Sequence, residues 1–178
     1  LLRRQPYDTA ARWELGRTCA ALGQWEEAVR EFQVLLTRRP DDVPALLQLG
    51  LAERGRGDLE AATVVFERAR ALDPNSSVTL FHYGEVLYNR GLSEQARQEL
   101  EAAVQRNPDH ADAYYLLAFV YGDLGDHERA QAASTRATKL NPTLARAQSN
   151  LSLSRYEGLA TLARPRPRSS ASAQPRVA

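Results

Sequence analysis

Residues 40–74 read PDDVPALLQLGLAERGRGDLEAATVVFERARALDP, a stretch that begins and ends on a proline. Prolines recur at the same interval of 34 residues at Pro6, Pro40, Pro74, Pro108 and Pro142. Four further columns keep this spacing, and the last of them lapses at Ser134: Gly16, Gly50, Gly84 and Ala118; Gly23, Gly57, Gly91 and Gly125; Ala28, Ala62, Ala96 and Ala130; Phe32, Phe66 and Leu100. A fixed period of about 20 to 50 residues indicates an array of structural repeats.

Each repeat is predicted to contain two helices, because apolar residues recur at intervals of three and four positions. The prolines end the second helix, since proline lacks an amide hydrogen and clashes with the preceding turn. Glycines such as Gly23 and Gly57 end the first helix, and Asp58 is expected to cap the helix that follows it. Aspartate, asparagine, serine or threonine near each proline is expected to cap the next first helix. The predicted helices cover 8–22, 25–38, 43–56, 59–72, 77–90, 93–106, 111–124, 127–140 and 143–162.

The order of a Leu-Gly pair, a later alanine, a phenylalanine and a proline resembles the tetratricopeptide repeat. The residues that carry the resemblance are Leu15-Gly16, Ala28, Phe32 and Pro40; Leu49-Gly50, Ala62, Phe66, Ala69 and Pro74; Tyr83-Gly84, Ala96, Leu100, Ala103 and Pro108; Leu117-Ala118, Tyr121, Ala130, Ala137 and Pro142. It covers about residues 1–162 and departs from the family pattern at Trp13, Glu53 and Ser134. The resemblance implies an all-α, right-handed superhelical solenoid of helix-turn-helix repeats.

The chain is predicted to divide into four parts. Four tetratricopeptide-like repeats fill residues 8–142, with limits at 9–42, 43–76, 77–110 and 111–144. Residues 1–7 are interpreted as the end of an upstream repeat helix, because they are similar to the stretch before Pro40, so we expect a fragment or a processed product. Residues 143–162 are predicted to form a closing helix with a polar outer face. The Arg/Pro/Ser-rich residues 163–178 are predicted to be an extended or disordered tail.

Composition restricts the class of protein. The chain has 178 residues and a net charge of +1, and the last fifteen residues carry four arginines and no acid. A single cysteine excludes an intrachain disulfide, and no apolar run reaches the roughly 18 residues that a membrane span needs. All basic residues except Lys139 are arginine, which indicates a GC-rich, bacterial genome. We expect a soluble portion that is cytoplasmic or periplasmic.

No arrangement of residues that would support catalysis is present in the sequence. His82, His110 and His127 lack the spacing of a metal-binding helix, and one cysteine cannot complete such a site. Cys19 falls on the packed face of its helix, where a structural role is favoured. Residues 55–58 form a turn between helices and not a phosphate-binding loop after a strand. The sequence therefore predicts no enzyme, no metal and no cofactor.

The resemblance implies that the first helix of each repeat lines a concave face, here called the predicted groove. Its residues are Trp13, Arg17, Leu47, Leu51, Arg54, Phe81, His82, Glu85, Tyr88, Asn89, Tyr115, Phe119, Leu153 and Tyr156. Exposed aromatic residues ringed by polar ones mark interaction sites, and aromatic and arginine anchors dominate interface energies. We expect a non-catalytic scaffold that binds a peptide, a helix or a protein subunit. Trp13 and Arg17 replace the first residue pair of the family's basic clamp, so an acidic chaperone tail is not the expected ligand.

Several alternatives remain open at this stage. The apolar stripe could be packing between adjacent first helices and nothing more. The chain could be an accessory or assembly subunit of a larger complex, whether membrane-bound or not, or the repeat domain of a longer enzyme. The tail at 163–178 could be simply disordered, could dock into a groove of this or a neighbouring chain, or could contact anionic lipid or nucleic acid. Four charges would attach it to such surfaces only weakly and in a salt-sensitive way.

Overall fold

The computed structural model describes residues 8–144, and eight helices connected by short turns occupy this range. They are α1 (Thr9–Ala21), α2 (Trp25–Arg38), α3 (Val43–Arg56), α4 (Leu59–Leu72), α5 (Ser77–Asn89), α6 (Ser93–Arg106), α7 (Ala111–Asp123) and α8 (His127–Leu140). No strand interrupts them between residues 8 and 144. The fold is therefore all-α, as predicted. Residues 1–7, the tail at 163–178 and all of the ninth predicted helix except Thr143 and Leu144 lie outside the described residues.

The helix limits agree with the prediction to within one residue. Helices α2, α3, α4, α6 and α8 begin and end at the predicted positions. Helices α1, α5 and α7 each end one residue earlier than predicted, and α1 also begins one residue later. In those three helices the cap residue is followed by a glycine with positive φ, as at Gly23 with φ 73° and Gly91 with φ 76°. Left-handed backbone is accessible to glycine at little steric cost, so this glycine column ends the first helices.

Side chains cap most first helices as the sequence predicts. The carboxylate of Asp42 accepts a hydrogen bond from the Ala45 amide at 3.0 Å, and the Ser76 hydroxyl accepts one from the Thr79 amide at 3.2 Å. Asp58 caps α4 in the same way, through the Ala61 amide. The prediction is wrong at α7, where the N-cap residue is His110 and its side chain forms no capping bond. That imidazole instead contacts an aromatic ring of the preceding hairpin.

The helices form four hairpins that stack in chain order. Within a hairpin α1 packs on α2, α3 on α4, α5 on α6 and α7 on α8. Between hairpins each second helix packs on the following first helix, and the first helices also contact one another in sequence from α1 to α7. These four hairpins belong to one compact unit that ends at Pro142. Because the first helices are neighbours, their side chains form one continuous face.

Close packing inside each hairpin depends on the glycine column. A Cβ placed on Gly16 would lie 2.9 Å from the ring of Phe32, and one on Gly84 would lie 2.7 Å from Cγ of Leu100. The alanine column contributes less to this contact: at Gly84 the backbone oxygen of Ala96 is the third nearest atom, at 3.3 Å. The atoms nearest to each glycine belong to the large residue four positions after the alanine, because its side chain fills the space that glycine leaves.

The interior is formed by large apolar side chains between small ones. Phe32, Phe66 and Leu100 are fully buried, as is the alanine column at Ala28, Ala62 and Ala96. Cys19 is buried as predicted, and burial raises the pKa of its thiol. Glu53 is also buried, with 3% of its surface exposed, and Arg56 neutralises its carboxylate at 2.6 Å. An acid is tolerated there because it is paired.

No helix within residues 8–144 combines the length and the apolar character that crossing a lipid bilayer would require.

Candidate functional site

The first helices carry twelve of the fourteen residues of the predicted groove; Leu153 and Tyr156 lie outside the described residues. Two of the twelve, Arg17 and Asn89, are exposed. The other ten are half-buried: Trp13, Leu47, Leu51, Arg54, Phe81, His82, Glu85, Tyr88, Tyr115 and Phe119. Leu47, Leu51, Phe81 and Tyr88 each pack one side against the main core cluster. These side chains therefore pack against the core on one side and are partly exposed to solvent on the other.

Aromatic rings connect the core of the second hairpin with the start of the fourth. The buried Phe66 ring stacks on His82 with centroids 6.2 Å apart, and His82 lies 4.9 Å from Phe81. The ring of Phe81 then contacts His110 at 4.7 Å. Burial lowers the pKa of His110; the charge of Asp112 opposes this shift and that of His82 adds to it. His110 is therefore held mainly as the neutral imidazole near neutral pH.

A polar cluster joins α3 to α5 beside these rings. Arg54 forms an ion pair with Glu85, and Nδ1 of His82 lies 3.2 Å from the same carboxylate. Burial by itself would raise the pKa of Glu85, but the His82 hydrogen bond and the Arg54 charge outweigh it and lower the pKa. Glu85 therefore remains ionised. The cluster fixes the relative position of two neighbouring first helices.

The inner sides of α5 and α7 are joined by a hydrogen bond. The Tyr88 hydroxyl donates to the Asp123 carboxylate at 2.8 Å. One turn before Asp123, Phe119 packs edge-on against Tyr115 with ring centroids 5.0 Å apart. Burial raises the pKa of the Tyr115 hydroxyl, so this residue stays a neutral phenol. This part of the predicted groove offers aromatic surface beside a carboxylate.

Trp13 and Arg17 lie on α1, and their ring contact and ion pair are with residues of the first hairpin. The Trp13 indole packs edge-on against Phe32 at 5.8 Å, and Arg17 lies 3.7 Å from Glu14 on the same helix. A pocket of about 490 Å³ opens beside Trp13 and extends to Pro44 at the start of α3. The structure therefore places the two ends of the predicted groove in different surroundings.

Sequence reasoning omitted two residues that belong to this face, His110 and Asp123. Both could have been found from the 34-residue register. His110 occupies the place of the cap residues Asp42 and Ser76, and Asp123 occupies the place of Asn89, which was included. Residue type gave no signal for His110, because a histidine also stands near the start of α8, where His127 is exposed.

The described residues do not suggest reactive chemistry. Among residues 8–144 there is no group of three or more histidine, cysteine, aspartate or glutamate side chains placed to hold a metal ion. Cys19 is buried and its thiol pKa is raised, which disfavours the thiolate that a nucleophile requires. What the face presents to another molecule is aromatic surface, hydrogen-bonding groups and fixed charge.

Two protein-family models match parts of the chain. The model of the anaphase-promoting complex, cyclosome, subunit 3 matches residues 55–137. The model of the N-terminal domain of the type VII (ESX-1) secretion system protein EccA1 matches residues 3–81. A search of curated proteins gives no significant match.

Solved structures share both the fold and part of the sequence. A thermophilic TPR protein of Thermus thermophilus, TTC0263, is 25% identical, with a TM-score of 0.70 over 85% of this chain and 85% of that one. MamA of Desulfovibrio magneticus RS-1 (residues 41 to the end) is 30% identical, with a TM-score of 0.70 over 75% of this chain and 76% of that one. The chain belongs to the tetratricopeptide-repeat family. A further crystal structure of MamA is 27% identical to this tetratricopeptide-repeat protein. Its TM-score is 0.73, over 85% of this chain and 82% of that one.

Membership of the tetratricopeptide-repeat family indicates a class of activity. The fold suggests a protein–protein interaction scaffold, and the family generally acts without catalysis. Protein or peptide partners follow from this class. The two organisms named among the relatives are bacteria, which agrees with the origin that the arginine-rich composition predicts.

Proposed function

We propose that this tetratricopeptide-repeat protein is a non-catalytic scaffold that binds a peptide, a helix or a protein subunit along the predicted groove. The single observation that carries the proposal is the half-buried aromatic row on α5 and α7: Phe81, Tyr88, Tyr115 and Phe119. Each of these rings packs against its own chain on one side and remains accessible on the other.

Partly exposed aromatic rings favour association energetically. Removing apolar surface from water contributes about 25 cal/mol for each Å², and aromatic side chains offer much of it with few rotatable bonds. Residues of this type dominate the binding energy of protein interfaces. A ring that is already held by its neighbours, as Phe81 is by His82 and His110, loses little conformational entropy when a partner covers it.

The polar cluster supports the same function by keeping the face preorganised. Arg54, Glu85 and His82 satisfy one another, and the side chains of Arg54 and Glu85 are 29% and 28% exposed. A partner can therefore reach them without breaking a deeply buried ion pair. Because they bridge α3 and α5, they also fix the position of α5, which carries Phe81 and Tyr88 of the aromatic row.

The proposal is tested by site-specific photo-crosslinking of the full chain in an extract of the source organism. Benzoylphenylalanine is introduced in place of Phe119, on the predicted groove, or in place of Val64, which is 67% exposed on a second helix. We expect defined protein adducts from position 119 that are absent from position 64.

Affinity purification measures how much of the crosslinked partner each variant recovers. The wild-type chain is compared with Tyr115→Ala/Phe119→Ala and with a control, Val34→Ala/Val64→Ala, which removes exposed apolar surface from second helices. We expect the partner that crosslinks at position 119 to be lost only from the first double variant. Equal recovery of that partner with all three proteins would exclude the predicted groove as the binding site.

A further inference from the structure

Charge is distributed unevenly along the predicted groove. The chain has 23 basic residues, yet neither α5 nor α7 contains an arginine or a lysine. Their charged residues are three acids, Glu85, Asp112 and Asp123. The first helices α1 and α3, in contrast, carry Arg17 and Arg54 toward the predicted groove. The aromatic half of the face is therefore acidic and the other half contains its cations.

The acids on α5 and α7 differ in how far the chain neutralises them. Glu85 is paired with Arg54. Asp123 accepts a hydrogen bond from the Tyr88 hydroxyl, and within residues 8–144 it forms no ion pair. Asp112 lies in the first turn of α7, where a negative charge complements the helix dipole, and it likewise has no cationic partner in that range. Asp112 lies on the same side of α7 as the groove residue Tyr115, because residues three positions apart on a helix are neighbours. Both aspartates are exposed, so their charge acts on whatever occupies the face.

We propose that the partner segment is a peptide stretch with an arginine or lysine beside an apolar residue, and that its cation lies over α5 and α7. This inference rests on the proposed function and specifies the chemistry of the ligand. The apolar residue packs on Tyr115 and Phe119, while the cation faces Asp123 and the Tyr88 ring. An arginine or lysine is attracted both by carboxylates and by the faces of aromatic rings.

Charge complementarity decides between basic and acidic partners. An acidic segment would bring like charges next to Asp112 and Asp123, which would suppress binding. A basic segment supplies the counter-charge that α5 and α7 lack. Since exposed ion pairs contribute little individually, we expect selectivity of about three- to tenfold from the two aspartates together.

The test uses three fluorescein-labelled peptides of the sequence Gly-Ser-Xaa-Leu-Xaa-Phe-Xaa-Leu-Gly-Ser, in which Xaa is arginine, glutamine or glutamate. Fluorescence anisotropy measures their binding to the full chain. We expect the arginine peptide to bind tightest and the glutamate peptide weakest. The advantage of the arginine peptide should shrink when salt is raised to about 1 M, because the screening length falls to about 3 Å.

Variants assign the effect to particular residues. Asp112→Asn/Asp123→Asn should weaken the arginine peptide by about three- to tenfold and leave the glutamine peptide within about twofold. Asparagine at position 123 can still accept the Tyr88 hydroxyl, so the fold is preserved. The control is Glu26→Gln/Glu128→Gln, which removes two exposed acids from second helices and should change neither affinity.

The two proposals fail in different ways. If Tyr115→Ala/Phe119→Ala weakens all three peptides while the aspartate variant changes none, the inference about charge is overturned and the groove proposal stands. Equal binding of the three peptides, preference for glutamate or no binding of any peptide also overturns the inference. The groove proposal is judged separately by crosslinking at position 119.

Discussion

The ring of Phe66 occupies the space that a side chain at Gly50 would need. A Cβ placed on Gly50 would lie 2.7 Å from Cζ of Phe66, a distance that real Cβ contacts essentially never show. The ring is fully buried, so it has no free space into which it could move. The two residues are thus matched in size, because the large ring fits only where its neighbour has no side chain.

Replacement of Gly50 by alanine is expected to destabilise the fold. Alanine favours a helix interior over glycine by about 1 kcal/mol, but here the methyl group would collide with a buried ring. Overpacking of this kind costs about 1–3 kcal/mol, so we expect net destabilisation in urea unfolding. Gly122→Ala is the matched control, because its Cβ meets nothing within 4 Å and helix propensity should raise the free energy of unfolding. Shifts of the same sign in both variants would contradict the packing argument.

Truncation of Phe66 should be among the most damaging single changes in this chain. Phe66→Ala removes a fully buried ring and leaves a cavity, which lowers the free energy of unfolding by about 3–5 kcal/mol. Val64→Ala, two residues away and 67% exposed, should change it by less than about 0.5 kcal/mol. Denaturant titration measures both. A loss below about 1 kcal/mol for Phe66→Ala would show that the ring is not part of the core.

Arg54→Gln is expected to raise the pKa of Glu85. Folding lowers the pKa of Glu85, so the ionised carboxylate stabilises the fold at pH values above 4.5, the ordinary pKa of this group. That contribution to stability is lost as the pH falls through the lowered pKa of Glu85 in the folded chain. Without Arg54 the folded pKa rises, and about 1 kcal/mol of stability is lost at neutral pH. NMR titration of the Glu85 carboxyl carbon and urea unfolding measure the two effects.

Arg30→Gln serves as the control for this ion pair. Arg30 pairs with Glu27 at 2.7 Å, but both side chains are well exposed. We expect neither the Glu85 titration nor the free energy of unfolding to change appreciably. An unchanged Glu85 titration in Arg54→Gln would mean that the ion pair does not hold this carboxylate.

His110 should make stability depend on pH between neutral and mildly acidic conditions. Burial lowers its folded pKa below the ordinary 6.5, so the unfolded chain binds the proton more readily. The free energy of unfolding should therefore fall as pH decreases from about 7 through the lowered folded value. His110→Gln should flatten this part of the profile. Identical profiles for wild type and His110→Gln would argue against a buried neutral imidazole.

The limits of prediction are visible in particular residues. Pro40 and Gly57 act on their own backbone, so the ends of α2 and α3 could be predicted within a residue. Phe66 belongs to a column of large apolar residues at the 34-residue spacing, and it is fully buried. The cap of α7 could not be predicted in this way, because the His110 ring contacts Phe81 and forms no capping bond to its own helix. Whether His110 caps α7 therefore depends on the Phe81 ring in another hairpin and not on the local sequence.

The amino-acid sequence alone determined the period, the helix pairs and the all-α repeat architecture. Proline, glycine and the apolar spacing act over a few residues, and the same local solution is repeated every 34 residues. Only the tertiary structure decided which groups meet across the hairpins, as Arg54 meets Glu85 and Tyr88 meets Asp123. Those contacts depend on how far one hairpin is displaced and rotated on the next. That offset results from the packing of all side chains in the layer between them, and no short stretch of sequence encodes it.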